Sequence, residues 1–376
     1  MKDNNFIYLD NAATTKVSEM VVALFAESEK NSFANASSIH RLGVLNAKEV
    51  DKAKESILSS FKLKNHRVIL TSGASEANNL AIKGYCLNYS NRGKHIITTN
   101  IEHPSVLECF YQLRDKFGFD VEILDVNSSG IIEPSILEKA MRKDTILVSV
   151  MAINNEIGSV NPIKEIAEIV HKYPKANLHV DTTQAIGKIN LDYSSIDMFV
   201  VSAHKIHGVK GSGALIAKSN LSFMPLISGG GQEDGYRSGT TSIAMAKCLS
   251  LAIKDALKED VNRVKELRNH LVDGLERIDE IEMNSSNECS PYIVNFSLKS
   301  KKASVVVEDL SNKGIFVSSV SACNSKKESY SYVVKALRKN EKLYKNTIRV
   351  SFSKDNTIEE IDTFVNNLKQ TLEAIR

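Results

Sequence analysis

The chain has 376 residues, 42% of them hydrophobic and 25% charged, and no apolar run approaches the roughly 18 residues of a membrane span. A formal net charge of +3, with both signs interspersed, excludes the basic surplus of a dedicated nucleic-acid binder. Five cysteines, an odd number with no CxxC pair, exclude a disulfide framework and a structural zinc site, and no metal ligand set is expected.

The N-terminal stretch "MKDNNFIYLDNAATT" has no long apolar core of the secretory kind, so a cytoplasmic protein is expected. Further on, "RVILTS" (67–72) reads as a strand, with a helix from about Ser75 to Leu87. "HIITTN" (95–100) is a strand before a helix that begins near Pro104. "VEILDV" and "TILVSVM" (145–151) are strands, with a helix near Ile163. "ANLHVD" (176–181), "MFVVSA" (198–203) and "GALIA" (213–217) complete the series. Such alternation implies an α/β fold with a parallel sheet covered by helices, and continuous apolar strands imply burial on both faces.

Past "GGGQEDGYRSGT" the pattern changes. Val264, Leu267, Leu271, Leu275 and Ile278 recur at helical spacing. "YIVNFS", a helix near 302–313, "GIFVSS", "TIRVSFS" and a terminal helix follow. The expectation is a large domain over 15–257 and a smaller α+β domain built from 1–14 and 258–376.

In a parallel sheet, ligands bind beyond the carboxyl ends of the strands. There the sequence places "TSGASE", then His103, then Asn154, Asn155 and Glu156. Asp181 and Gln184 come next, then Ser202, His204 and Lys205. A lysine amine can hold an aldehyde as a Schiff base. A carboxylate such as Asp181 suits the ring nitrogen of a pyridine that must accept electrons. "TSGAS", opening a helix, offers backbone N–H groups to a phosphate, with Ser75, Ser202 and His204 as side-chain donors. The cofactor indicated is pyridoxal phosphate. Singly, each residue has a plainer reading: Lys205 a solvated loop residue, Asp181 structural, TSGAS a helix cap. His204 and His207 lack a third metal ligand. The ordered set changes those readings.

"YLDNAATT", "TSGASEANNLAIKG", "IEHPSVLE", "INNEIG", "HVDTTQAIGK", "SAHKIHGVKGSGAL", "GGGQEDGYRSGT" and "SSVSAC" follow one another along the chain. Together they resemble the group I cysteine desulfurases of the class V aminotransferase superfamily, from about residue 6 to the end. The resemblance implies a PLP-dependent transferase fold of the aspartate-aminotransferase type. It implies that Lys205 forms the Schiff base, that Asp181 and Gln184 meet the pyridine nitrogen and phenolic oxygen, and that His103 stacks on the ring. It implies that Ala74, Ser75, Ser202 and His204 hold the phosphate, and that Thr240 reaches the phosphate of a second subunit in a homodimer. Asn155 would lie beside cofactor and substrate, and Arg349 would bind the substrate carboxylate.

Cys323, in the loop 318–329, is the implied nucleophile. Its polar neighbours and the nearby Lys326 and Lys327 favour an exposed thiolate. The implied reaction converts L-cysteine to L-alanine and leaves a persulfide on Cys323, which passes to a sulfur-acceptor protein. Iron–sulfur scaffolds, tRNA-thiolation enzymes and thiamine-pathway carriers are the acceptor classes. The basic segment 335–345 reads as a solvated helical face rather than a tRNA contact. Alternatives within the fold are a selenocysteine lyase, a kynureninase-like hydrolase, a small-substrate aminotransferase or a non-catalytic homologue. The chain departs from the family pattern at Lys16 and Ala36, where proline is usual, and at Val320, where glycine is usual.

Overall fold

The computed structural model describes residues 6–319, 330–337 and 339–375. Strand β1 (Ile7–Tyr8) opens the chain, and the helices Glu19–Asn31 and Arg41–Ser60 follow. Then come β2 (His66–Thr71), β3 (His95–Thr99), β4 (Asp120–Leu124) and β5 (Thr145–Met151). The series ends with β6 (Asn177–Asp181), β7 (Met198–Ser202) and β8 (Gly213–Lys218). These seven strands, β2 to β8, form one sheet in the order β2-β8-β7-β6-β5-β3-β4.

The sheet is parallel except at β8, which runs against both β2 and β7. Chain length explains the reversal. A parallel crossover needs a dozen or more residues, and only residues 203–212 join β7 to β8. Because β2 pairs with the reversed strand, its carboxyl end lies on the same edge as those of β3 to β7.

Successive residues feed opposite faces, as a pleated strand requires. Ile97, Val148, Phe199 and Ile216 join a core with Ile57, Phe61 and Ile253. Their neighbours Ile96, Leu147, Val200 and Leu215 join a second core with Tyr85, Phe110 and Leu113. That two-sided burial is why the strands read as unbroken apolar runs rather than as alternating ones.

The helix expected over 75–87 begins at Ala74 and passes through a π-turn at Leu80–Gly84 before Tyr85–Asn88. At Gly84 a Cβ would come within 2.8 Å of the Met224 carbonyl, so the wide turn packs directly on another stretch of backbone.

Beyond the helix Ile243–Ala256, the helix Val261–Leu275 leads to a second sheet. Its strands are β9 (Ile281–Met283), β10 (Ile293–Leu298), β12 (Ser318–Ser319) and β13 (Thr347–Ser351), in the antiparallel order β12-β13-β10-β9. The stretch "GIFVSS", read as one strand, is two. β11 (Ile315–Phe316) pairs with β1, and β12 pairs with β13. The terminal helix Ile358–Ala374 closes the fold with a capping box between Thr357 and Glu360. Among the described residues no helix is long and apolar enough to cross a membrane.

Residues 9–18 form a strap from the small sheet to the large one. Ser351 donates its N–H to the Leu9 carbonyl at 2.7 Å and Asn11 donates to the Ser351 carbonyl at 3.2 Å. Farther along, Thr15 donates to the His204 carbonyl at 2.8 Å and Ser18 to the His207 carbonyl at 3.0 Å. The strap therefore lies across the turn that carries Lys205.

Candidate active site

Four neighbouring strands end in chemistry. β3 leads to His103, β5 to Asn155, β6 ends on Asp181, and β7 leads to a 3-10 turn, Ala203–Lys205. With β2 leading to Gly73 and Ala74, they surround a cavity of about 840 Å³. Ala74, Ser75, His103, Asn155, Asp181, Gln184, Ser202, His204, Lys205 and Arg349 all line it. Ten of the expected site residues thus meet in one place.

Two others do not. Thr240 is exposed and lines a smaller neighbouring cavity of about 220 Å³, which shares Ser72 and Gly211 with the large one. Cys323, with Lys326 and Lys327, lies outside the described residues. The other four cysteines are buried and unbonded to one another. Cys289 is buried with its Sγ 3.5 Å from Ser286 Oγ, and burial pushes its pKa up.

Lys205 Nζ donates to the carbonyls of Ala12 and Ala13 at 2.6 and 2.8 Å. The strap therefore aims the amine. The turn itself is short: Ile206 and Gly208 both donate to the Ala203 carbonyl, and His207 takes a left-handed φ of 60°.

Asp181 is buried at 6% exposure. Its Oδ1 accepts from the Thr183 N–H and its Oδ2 from Asn78 Nδ2, each at 2.9 Å. Asn78 Nδ2 also reaches Ser105 Oγ at 2.9 Å, and Ser105 Oγ lies 2.8 Å from His103 Nδ1. The Ser105 N–H points at that same Nδ1, 3.1 Å away, because His103 is the N-cap of the helix Pro104–Phe117. An Nδ1 facing an N–H is an acceptor, so the ring proton sits on Nε2. Desolvation, with the Lys205 charge acting the same way, holds the His103 pKa below its usual value despite the opposing pull of Asp181.

His204 Nδ1 lies 3.2 Å from Thr14 Oγ1. Burial, reinforced by Lys205 and Lys210, draws its pKa down to about 4, so its ring is neutral at ordinary pH. Ser202 is 2% exposed, and its Oγ is buried with no partner among the described residues. Gly73 stands at φ +151°, where a Cβ would meet only Ser202 Oγ at 3.7 Å, and the helix after it has no side-chain cap. A bare helix start beside an unpaired buried hydroxyl is what a phosphate fits.

Arg349, on β13, comes from the small sheet. Its Nη1 donates to the Asn155 carbonyl at 2.9 Å and its Nη2 to Asp10 Oδ1 at 2.8 Å. Asp10 was not among the expected site residues, nor were the linking residues Asn78 and Ser105. Two further carboxylates near the cavity are buried, and of these only Glu156 lines it. Glu102, behind β5, accepts from the Met151 N–H at 2.9 Å and from Thr99 Oγ1 at 2.8 Å. Its Oε2 has no partner among the described residues, and burial pushes its pKa up to about 8. Glu156 lines the cavity and accepts from Ser331 Oγ at 2.5 Å, and burial raises its pKa too. Among the described residues no group of His, Cys, Asp and Glu could hold a metal ion.

Residues 7–364 match the class-V aminotransferase family. A curated relative, the cysteine desulfurase IscS of Dictyoglomus turgidum, is 37% identical over 98% of this chain and 95% of its own. A solved NifS-like protein superposes with a TM-score of 0.90 at 33% identity, covering 98% of this chain and 99% of the other. A solved structure described as SspA in complex with cysteine gives a TM-score of 0.81 at 31% identity, over 92% of this chain and 98% of that one.

Proposed function

The chain belongs to the class-V aminotransferase family, among the cysteine desulfurases of the IscS and NifS kind, and from that premise we propose that it is a PLP-dependent cysteine desulfurase that converts L-cysteine to L-alanine and carries the sulfur as a persulfide on Cys323. The observation that carries the reading is the convergence of Lys205, Asp181, His103 and Arg349 on one cavity. Pyridoxal phosphate, when bound, supplies an aldehyde for an amine and a ring that accepts the electrons released at the substrate's α-carbon.

The chain's own residues do the rest. Lys205 would present its amine to that aldehyde and would serve as the base for the α-proton. Asp181, held by Asn78 and Thr183, keeps a proton on the pyridine nitrogen. His103, with its proton on Nε2, would lie against the ring. Gln184 and Asn155 meet the cofactor's phenolic side. Ser202, Ser75 and the backbone from Ala74 take the phosphate, with neutral His204 beside them. Arg349, steadied by Asp10, shares its guanidinium with the substrate carboxylate.

Cys323 would attack the substrate sulfur as a thiolate: an S–S bond forms, the C–S bond breaks with its electron pair left on the β-carbon, that carbon takes a proton, and L-alanine leaves. The persulfide sulfur then passes to an acceptor protein in the cytoplasm.

Two further assignments go with this reading. Residues 15–257 act as the large domain, with 1–14 and 258–376 as the small domain that brings Arg349 to the cleft. The working unit is a homodimer, in which Thr240 serves the partner's phosphate site. Thr240's exposure and a concentration of exposed apolar side chains support the dimer. These include Met20, Phe33, Ile39 and Leu42, with Ile39 97% and Phe33 77% exposed.

The test is Cys323→Ala. It is expected to abolish alanine formation from L-cysteine while the visible absorbance of the bound cofactor remains. Unimpaired alanine formation would overturn the assignment. Selenocysteine and kynurenine, offered beside cysteine to the unaltered protein, separate this activity from its neighbours in the fold.

A further inference from the structure

Lys188 lies one layer behind the cleft, 8% exposed, at the end of the turn that follows β6. A buried ammonium requires an acceptor. Lys188 finds it in Gln184 Oε1, 3.0 Å away, and its Nζ stands 5.4 Å from the centre of the Tyr292 ring. At its other end, Gln184 Nε2 donates to the Ala12 carbonyl at 2.9 Å. That carbonyl also accepts from Lys205 Nζ at 2.6 Å.

The donor inventory leaves Gln184 one orientation. An ammonium only donates, and a carbonyl only accepts. With the amide turned over, oxygen would face the Ala12 oxygen and the NH2 would face the ammonium. Gln184 lines the cleft, and its oxygen is turned toward the Lys188 ammonium. The second hydrogen on Nε2 is therefore what Gln184 offers to a ligand.

We infer that Lys188 is a positioning residue that locks the Gln184 amide so that a donor, never an oxygen, faces the phenolic oxygen of pyridoxal phosphate. The inference rests on the cofactor reading above. The charged groups facing Lys188 are Lys205 and Arg349 on the cleft side and Glu259 behind, which is itself paired with Lys354 at 3.4 Å. Burial, together with repulsion from Lys205, draws the Lys188 pKa down to about 8. Its charge is thus one that mild alkali can remove, which weakens the hold on Gln184 Oε1 and leaves the Ala12 carbonyl as the amide's other fixed partner.

The experiment compares the PLP-loaded wild type with Lys188→Met, Gln184→Ala, the double variant and Lys188→Arg. Lys188→Met keeps the length of the side chain and removes the donor. In otherwise wild-type protein it is expected to lower kcat for alanine formation about tenfold, with KM for L-cysteine within about twofold. It is also expected to shift the pH at which the cofactor's visible absorbance changes upward by about half a unit or more, because a nearby positive charge is gone. In the Gln184→Ala background the same substitution is expected to leave kcat within about twofold, while the absorbance shift, which comes from the charge itself, remains. Lys188→Arg, which keeps a cationic donor, is expected to recover most of the wild-type spectrum, and circular dichroism checks that each variant folds.

Equal effects of Lys188→Met on kcat with and without Gln184, or a wild-type rate in Lys188→Met, would overturn the inference while leaving the desulfurase reading intact. A wild-type protein that takes up no pyridoxal phosphate would overturn both.

Discussion

Glu102 allows a prediction that depends on burial alone. Its side chain is fully buried, and its pKa is pushed from the ordinary 4.5 up to about 8 by desolvation, against the pull of the Met151 N–H and Thr99 hydroxyl. A carboxyl whose pKa is higher folded than unfolded binds its proton more tightly in the folded state. Its contribution to stability is therefore fully present below the unfolded value near 4.5 and is lost as pH rises to about 8.

Each pKa unit corresponds to about 1.4 kcal/mol, so the full span is worth roughly 5 kcal/mol. Between pH 5 and 7 the loss is about 2.5 kcal/mol. Glu102→Gln has nearly the shape of the protonated acid. Its amide oxygen can take over the bonds from Met151 and Thr99, and it cannot ionise. The expectation is a variant whose stability relative to wild type is near constant below pH 4.5. That relative stability then grows with pH and levels off above about 8. Urea denaturation of the PLP-loaded proteins at pH 5, 7 and 9 reads this difference directly, and other titrating groups cancel between the two proteins. A difference that does not change with pH would refute the reasoning, because Glu102 would then ionise in the folded state as it does in water.

Arg349→Lys removes the fork that reaches Asp10 and the Asn155 carbonyl together and cannot bind a carboxylate bidentately. It is expected to raise KM for L-cysteine about tenfold or more in the alanine assay, and a KM within twofold of wild type would count against a substrate role. Gly187 has φ +74°, and a Cβ there would stand 2.1 Å from the Ala256 carbonyl oxygen. Gly187→Ala is therefore expected to cost about 2–5 kcal/mol in denaturant unfolding, and a cost below about 1 kcal/mol would contradict that packing. Asn78→Ala leaves Asp181 Oδ2 without its described donor. It is expected to lower kcat about tenfold while the protein keeps its bound cofactor, and an unchanged kcat would show that Asp181 needs no such support.

The central strands of the large sheet, such as β3, β5 and β7, were legible because each is buried along its length and so reads as a largely apolar run. "TILVSVM" is β5 from end to end. The candidate residues at the ends of β3, β5, β6 and β7 could be placed for the same reason: once a parallel strand is placed, its carboxyl end is the ligand edge.

What stayed hidden depends on distant parts of the chain. The Arg349–Asp10 pair joins residues at opposite ends of the sequence, and no local pattern announces it. Asn78 and Ser105 lie on two different helices and become linked only when those helices pack. The burial of Glu102 and Glu156 is a tertiary property, for which a glutamate after a strand gives no sign. Motif spacing located Gln184, but the direction of its amide follows from Lys188 and Ala12, which only the fold brings to it. The split of "GIFVSS" into β11 and β12 follows from two different partner strands rather than from any break in its apolar pattern.

The central claim is that one amine, Lys205 Nζ, bonds the cofactor's aldehyde at the mouth of the sheet. Borohydride reduction of the PLP-loaded protein fixes such a bond as a stable amine, and peptide mass spectrometry then locates the pyridoxyl group. The account predicts that the group sits on the peptide containing Lys205 and is absent from the Lys205→Ala protein. A pyridoxyl group on any other lysine, or an equal yield from Lys205→Ala, would contradict it.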